Sequence, residues 1–196
     1  MKVLSLAHMC DVEYFTDKSG ERTKFYNGPS PDEVALVEFA SSMNFNCLIS
    51  TEEEMKLKAT LKGKYEEHEF KVYRKMEFNS DRKRMSILVK DPSDGKIKLL
   101  IKGADSIIKE RLDKKQYPLD IERRTEWFLE TASKQGLRTL LMGMKIVEQE
   151  EMRKFLDECA EAEKDLLNRE AKLEEVYDIF ERNIVLIGAT AVEDRL

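Results

Sequence analysis

The sequence predicts an α+β fold in which an antiparallel β-sheet is packed beside helices. Three observations carry this. The segment "EFKVYRKMEF", Glu69 to Phe78, alternates with a period of two, placing Phe70, Val72 and Arg74 on one face and Lys71, Tyr73 and Lys75 on the other. The stretches "KRMSILVK" and "KIKLLIK" flank "DPSDG", a turn-forming stretch between two strands. A capped helix precedes this β region, and amphipathic helices follow it.

The first helix is read from "GPSPDEVALVEFASSMNF". Ser30 suits the N-cap, Pro31 the first helical position, and Glu33 completes a capping box three residues on. The helix is expected over about Pro31 to Met43, with Val34, Val37 and Met43 facing inward and Phe39 and Ala40 flanking. In the second hairpin strand, Ile97, Leu99 and Ile101 point one way and Lys96, Lys98, Leu100 and Lys102 the other, so one face of the sheet is expected to be covered. A short helix is expected from about Ala104 to Leu112. A longer one follows Pro118, carrying Ile121, Thr125, Phe128, Leu129 and Ala132 at helical spacing, with Gly136 as its C′ stop. "LRTLLMGMKIV" returns as a strand. Met152, Phe155, Leu156, Cys159 and Leu166 mark one amphipathic helix, and Leu173, Val176, Tyr177 and Phe180 another, each with an acidic face expected only to be solvated. Ile184 to Ile187 reads as a buried strand, with Gly188 opening a turn. An apolar strand is an unusual finish for a domain, so the end is expected to mark a domain boundary.

The chain has 196 residues, which suits one domain with at most a small appendage. Hydrophobic residues make up 41 %, enough for a core, and the net charge of −5 argues against a polyanion binder, so no nucleic-acid partner is expected. Cys10, Cys47 and Cys159 are odd in number and form no CxxC, pointing to reduced thiols rather than a disulfide framework or zinc knuckle. His68 stands among Glu66, Glu67 and Glu69, but neighbours on a strand point to opposite faces, so no metal site is expected there. No apolar run of membrane-spanning length occurs, and "MKVLSLAHMC" is too weak for a secretory signal.

Templates for autonomous catalysis are missing. The sequence contains no GxxxxGK[ST], GxGxxG, GxSxG or HExxH, and the histidines are distant from each other, so no catalytic residue is assigned. A binding site has better support. A ring such as Phe78 can stack on a purine, Lys83 and Lys102 can meet phosphate oxygens, Gly103 permits close backbone approach, and Glu33 can accept a hydrogen bond from an exocyclic amine. Each also has a plain structural reading. Phe78 could be core, and Arg82, Lys83 and Arg84 a solvated strand edge. Lys102 could simply leave a strand, Ser30 and Glu33 only cap a helix, and Arg138 be an ordinary surface cation. Spacing alone leaves these open.

Five stretches in order resemble the nucleotide-binding domain of P-type ATPases, specifically the phospholipid-flippase subfamily. They are "SPDEVALV" from Ser30, "FNSDRKRMS" from Phe78, "KGAD" from Lys102, "GLRTL" from Gly136 and "GATAVEDRL" from Gly188. The resemblance covers almost the whole chain. It implies a twisted antiparallel sheet flanked by helices, with residues 1–183 as the nucleotide-binding domain and 184–196 returning toward a phosphorylation domain.

The resemblance also implies roles. Phe78 would stack on adenine, Glu33 with Asp32 would orient the adenine end, and Ser80 would support that pocket. Lys83 and Lys102 would line the cleft, Gly103 and Ala104 shape its floor, Arg138 bind phosphate oxygens and Leu140 cover the ribose or base. The cofactors implied are ATP and Mg²⁺, the metal mainly held elsewhere. The implied partners are the phosphorylation and actuator domains of the same parent chain, with phospholipid met only through membrane segments. The implied location is the cytosolic face of a membrane, and the isolated domain is expected to be monomeric. The family's DKTGT, TGE and GDGxND segments do not occur, and Asp194 is not expected to replace the phosphorylated aspartate. The chain is therefore expected to bind ATP without completing turnover. Two other readings are a cation-transporting relative and a protein-interaction domain working through its acidic helices.

Overall fold

The computed structural model describes all residues except Lys62 and 194–196; the Asp194 expectation lies outside the described residues. Its centre is a seven-stranded antiparallel sheet whose spatial order follows the chain: β3 (Phe45–Ser50), β4 (Glu54–Leu61), β5 (Lys64–Met76), β6 (Arg84–Lys90), β7 (Ile97–Gly103), β8 (Arg138–Val147) and β9 (Val185–Val192). A separate hairpin of β1 (Asp11–Thr16) and β2 (Arg22–Asn27) precedes it.

Both faces of the central strands are covered, which corrects the expectation of one covered face. On one side α1 (Lys2–Leu6), α2 (Pro31–Ser42) and the β1–β2 hairpin enclose Leu57, Phe70, Val72, Ile87, Val89 and Leu100. On the other, α3 (Asp105–Lys109), α4 (Leu119–Lys134), α5 (Gln149–Lys164) and α6 (Arg169–Phe180) cover Met76, Leu88, Leu99 and Ile101. Lysine was misleading as an outward marker in β7. Lys98 is buried against Asp91 at 2.7 Å, and Lys102 is buried against Glu33 at 3.1 Å. A buried lysine is tolerated where a carboxylate neutralises it.

A β-bulge decides what β5 presents. Its register against β6 shifts between Val72 and Arg74. One extra residue reverses the facing of everything after it. Phe70 and Val72 therefore face α1 and α2, whereas Arg74 bonds Tyr177 of α6 and Met76 joins the core beneath α3 to α6.

Helix ends follow local chemistry. The Glu33 N–H donates to Ser30 Oγ at 3.2 Å, and Pro31 occupies the first turn of α2. The Glu33 side chain, however, turns to Lys102 instead of closing the capping box. Phe39 and Met43 are exposed, while Glu33, Leu36, Val37 and Ala40 are buried. Helix α4 stops as its sequence implies. Gly136 takes φ +72°, its N–H donates to Ser133 O, and the Leu137 N–H donates to Ala132 O, which is the paired bonding of a Schellman motif. Helix α3 is shorter than expected, and Leu166 lies beyond α5 and is exposed. Strand β9 continues through Gly188 with a register shift against β8 in place of a turn, and Ile187, expected to be buried, is exposed.

Candidate nucleotide-binding site

Sheet register gathers the residues of interest at one end. Met76 at the end of β5 pairs with Ser86, and Arg84 at the start of β6 pairs with Gly103 at the end of β7. Gly103 pairs with Leu141 near the start of β8, and Arg138 pairs with Val192 at the end of β9. The loop between β5 and β6 carries Phe78, Ser80 and Lys83 at that same end. The N-terminus of α2 reaches it from above through Glu33.

The cations of "RKR" are divided by this geometry. Arg82 and Arg84 are buried. The Arg82 Nη2 donates to Glu181 Oε1 at 2.7 Å, and the Arg84 Nε donates to Glu181 Oε2 at 2.6 Å. Ser86 Oγ also bonds Glu181. Lys83, between them, is exposed and takes φ +51°. A non-glycine residue in the left-handed region costs about 1 kcal/mol or more and persists only where its surroundings enforce it. Here its N–H donates to Asn79 O at 2.9 Å, and its carbonyl accepts from Ala104 N at 3.0 Å. Two buried arginines thus pin the strand entry, and the lysine between them is turned outward.

Glu181 was not legible as a site-building residue. It caps α6 almost a hundred positions from its partners, and the acidic face of α6 reads locally as a solvated face. The structure corrects that. Glu174, Asp178 and Glu181, spaced by three or four residues, all pair with arginines. Asp178 loses stability as an anion through burial, but the Arg182 hydrogen bond and the charges of Arg111, Arg182 and Arg84 hold its carboxyl below the usual carboxylate range.

Gly103 serves strand packing here. A Cβ at this position would stand 2.6 Å from Arg84 Cβ and 2.7 Å from Lys83 O. These atoms belong to the pinned loop entry and cannot swing aside. Gly103→Ala is therefore expected to cost about 1–3 kcal/mol of stability, measured by denaturant unfolding, because overpacking forces backbone shifts. An unchanged midpoint would contradict this reading of the close approach.

The other candidates fall into two groups. Phe78 is 58 % exposed on the loop, beside exposed Ser80, and Ala104 is the N-cap of α3. Asp32 and Arg138 form an exposed pair at 2.9 Å, and line an open depression with Pro31, Phe39, Phe128 and Val192. The lining of that depression does not include Phe78 or Lys83. The groups are linked through α2, whose adjacent Asp32 and Glu33 reach Arg138 and Lys102 respectively. Leu140 packs against Leu4, Leu36 and Ala40 and is half-buried.

Under the site lies a buried polar group that sequence spacing did not single out. His8 is fully buried. Its Nδ1 accepts from the Cys10 N–H at 3.1 Å, which leaves Nε2–H to donate to Ser5 O at 3.1 Å. Burial, then the nearby charges of Lys102 and Lys75, push its pKa down to about 3. Burial likewise pushes the Cys10 thiol up to about 12, so it is not a reactive thiolate.

Comparison with known proteins agrees with this architecture. The family model described as "P-type ATPase, cytoplasmic domain N" matches residues 1–196. The chain is 41 % identical over 197 residues to phospholipid-transporting ATPase DNF1 of Chaetomium thermophilum, covering all of this chain and 12 % of that protein. It is 42 % identical over 195 residues to phospholipid-transporting ATPase IK of Mus musculus, covering all of this chain and 14 % of the relative. It is 37 % identical over 198 residues to phospholipid-transporting ATPase DRS2 of Saccharomyces cerevisiae, with 100 % and 14 % covered. The chain thus spans about an eighth of the length of these relatives. With a family match along its full length and the antiparallel sheet that the motifs imply, the chain belongs to the cytoplasmic N domains of P-type ATPases.

Proposed function

We propose that this domain binds ATP at the Phe78 end of the sheet and presents it for phosphoryl transfer to an aspartate in another domain of a phospholipid-transporting P-type ATPase. The observation that carries this is Phe78. A large ring stands 58 % exposed on a loop whose neighbouring arginines are buried and pinned, with Lys83 projecting from the same loop. An exposed aromatic on a fixed loop is a platform for a base, since every base has a face to stack and ring contacts need no further ordering.

In this reading Phe78 stacks on adenine and Ser80 supports that contact. Glu33 orients the adenine end while holding Lys102 in place, and Lys83 meets the nucleotide as a point charge. Gly103 and Ala104 form the floor, Leu140 shields one side, and Arg138, steadied by Asp32, receives phosphate oxygens. Mg²⁺ travels with ATP and is held mainly by other domains of the parent. The chain supplies position rather than covalent chemistry, and position alone lowers a barrier by removing the entropy of encounter. The last segment, from Ile184, leads back toward the phosphorylation domain, and the actuator domain is a further partner. The domain works on the cytosolic face of a membrane. No helix among the described residues is long and apolar enough to cross one. In this reading phospholipid is met only through membrane segments of the parent. In the protein-interaction reading the acidic helices α5 and α6 would form the contact surface, but part of that acid is turned inward, Glu163 to Arg74 and Glu174 to Arg82.

Phe78→Ala tests this. Loss of one base-stacking contact is expected to weaken ATP binding about 5- to 150-fold, from about 1–3 kcal/mol per stacked base. The thermal midpoint should move little, because the ring is mostly outside the core. Equal ATP affinity in the two proteins, measured by calorimetric titration, would sink the proposal.

A further inference from the structure

We infer that Glu174 of α6 is a positioning residue for the nucleotide-binding loop, acting from the side of the sheet opposite α2. The inference rests on the nucleotide-site reading of Phe78 and Lys83. The loop has one internal organiser, Asn79, which directly follows Phe78. Its Oδ1 accepts from the Asp81 N–H at 3.0 Å and the Arg82 N–H at 2.7 Å, and its backbone carbonyl accepts from Lys83 N at 2.9 Å. A side-chain amide can do this only while its plane is held, because rotation would present NH₂ to backbone donors. Glu174 holds it. The Asn79 Nδ2 donates to Glu174 Oε1 at 3.3 Å, and the other carboxylate oxygen accepts from Arg82 Nη1 at 3.1 Å. One carboxylate therefore fixes both the amide that shapes the loop and the arginine two residues before Arg84. Tyr177, one turn along α6, lies under the Arg82 guanidinium at 5.0 Å and completes the seat.

The consequence is that α6 sets the direction of Phe78 and the outward turn of Lys83 without touching the nucleotide. Glu174 differs from Glu181 in the way that makes this testable. Its side chain is 38 % exposed, whereas that of Glu181 is fully buried, so its removal leaves no large hole. An ordered loop binds ATP without first losing freedom, so loosening it should appear as weaker binding.

The experiment compares wild-type protein with E174A and E174Q by ATP titration, thermal unfolding and backbone amide spectra. E174A is expected to bind ATP about five- to tenfold more weakly. Its thermal midpoint should stay near wild type, and the amides of Asn79 to Lys83 should shift or broaden before any ATP is added. E174Q keeps an acceptor for Arg82 or Asn79 and should recover part of the affinity. Wild-type affinity in E174A overturns the inference, as does weakened binding with unmoved loop amides. Absence of saturable ATP binding in the wild-type protein is a separate outcome: it overturns the nucleotide-site reading itself and takes this inference with it.

Discussion

Glu181→Ala is expected to destabilise the fold by about 3–5 kcal/mol, the range for removing one partner of a buried ion pair. For a domain of this size that lowers the thermal midpoint by about 6–20 °C. The size follows from how many groups depend on one carboxylate. Arg82 and Arg84 each give it a charge-assisted hydrogen bond, and Ser86 adds a third donor. All three are buried, so without Glu181 two guanidinium groups lose their neutralising partner away from water. Glu174 and Asp178 remain beside them, partly exposed, and limit the loss to one network. Glu181→Gln keeps hydrogen-bond acceptance but not charge and should fall between alanine and wild type. A midpoint for Glu181→Ala within error of wild type would show that the arginines find other partners.

The second large effect is acid sensitivity through His8. Its pKa is lowered from 6.5 to about 3 in the folded protein, with burial as the main cause and the charges of Lys102 and Lys75 adding to it. The hydrogen bonds agree, because a proton on Nδ1 would face the Cys10 N–H, a donor against a donor. Since the folded value lies below the unfolded one, the unfolded chain takes up a proton that the native ring refuses. Stability from His8 is therefore complete above about pH 6.5 and is lost as pH falls toward about 3, by at most about 1.4 kcal/mol per pH unit. Across the mildly acidic range this amounts to roughly 2–3 kcal/mol. His8→Gln supplies an acceptor and a donor but does not titrate. Denaturant unfolding as a function of pH should give a flatter curve for the variant below about pH 6.5. Carboxylates act on both proteins alike, so parallel curves would contradict the buried neutral ring.

Several elements were legible because their signals are local. Ser30, Pro31 and Glu33 mark the start of α2 within four residues, Gly136 marks the end of α4, and "DPSDG" marks the β6–β7 turn. The long β4–β5 hairpin was only partly legible. The β5 arm around Tyr65 to His68 carries mostly charge and no apolar alternation, so it is announced only by its partner β4, where buried Met55, Leu57 and Ala59 alternate with Lys56 and Lys58. The covering of both sheet faces was hidden because Lys98 and Lys102 are neutralised by Asp91 and Glu33, the latter 69 positions away. The site divides in the same manner. Phe78 and Lys83 stand out from their motif, and the structure leaves both exposed. The residues that aim them, Glu174 and Glu181, come from a helix whose periodicity says only that it is amphipathic. Nothing local distinguishes an acid facing water from one facing an arginine 92 positions earlier.

The central claim is that ATP sits at one end of this sheet against Phe78, and a backbone amide titration with ATP tests it most directly. The account predicts saturable shifts concentrated at Phe78 to Lys83, Lys102 to Ala104, Glu33 and Arg138, with the outer β4–β5 hairpin and α5 unmoved. No shifts at millimolar ATP, or shifts centred away from that end of the sheet, would contradict it.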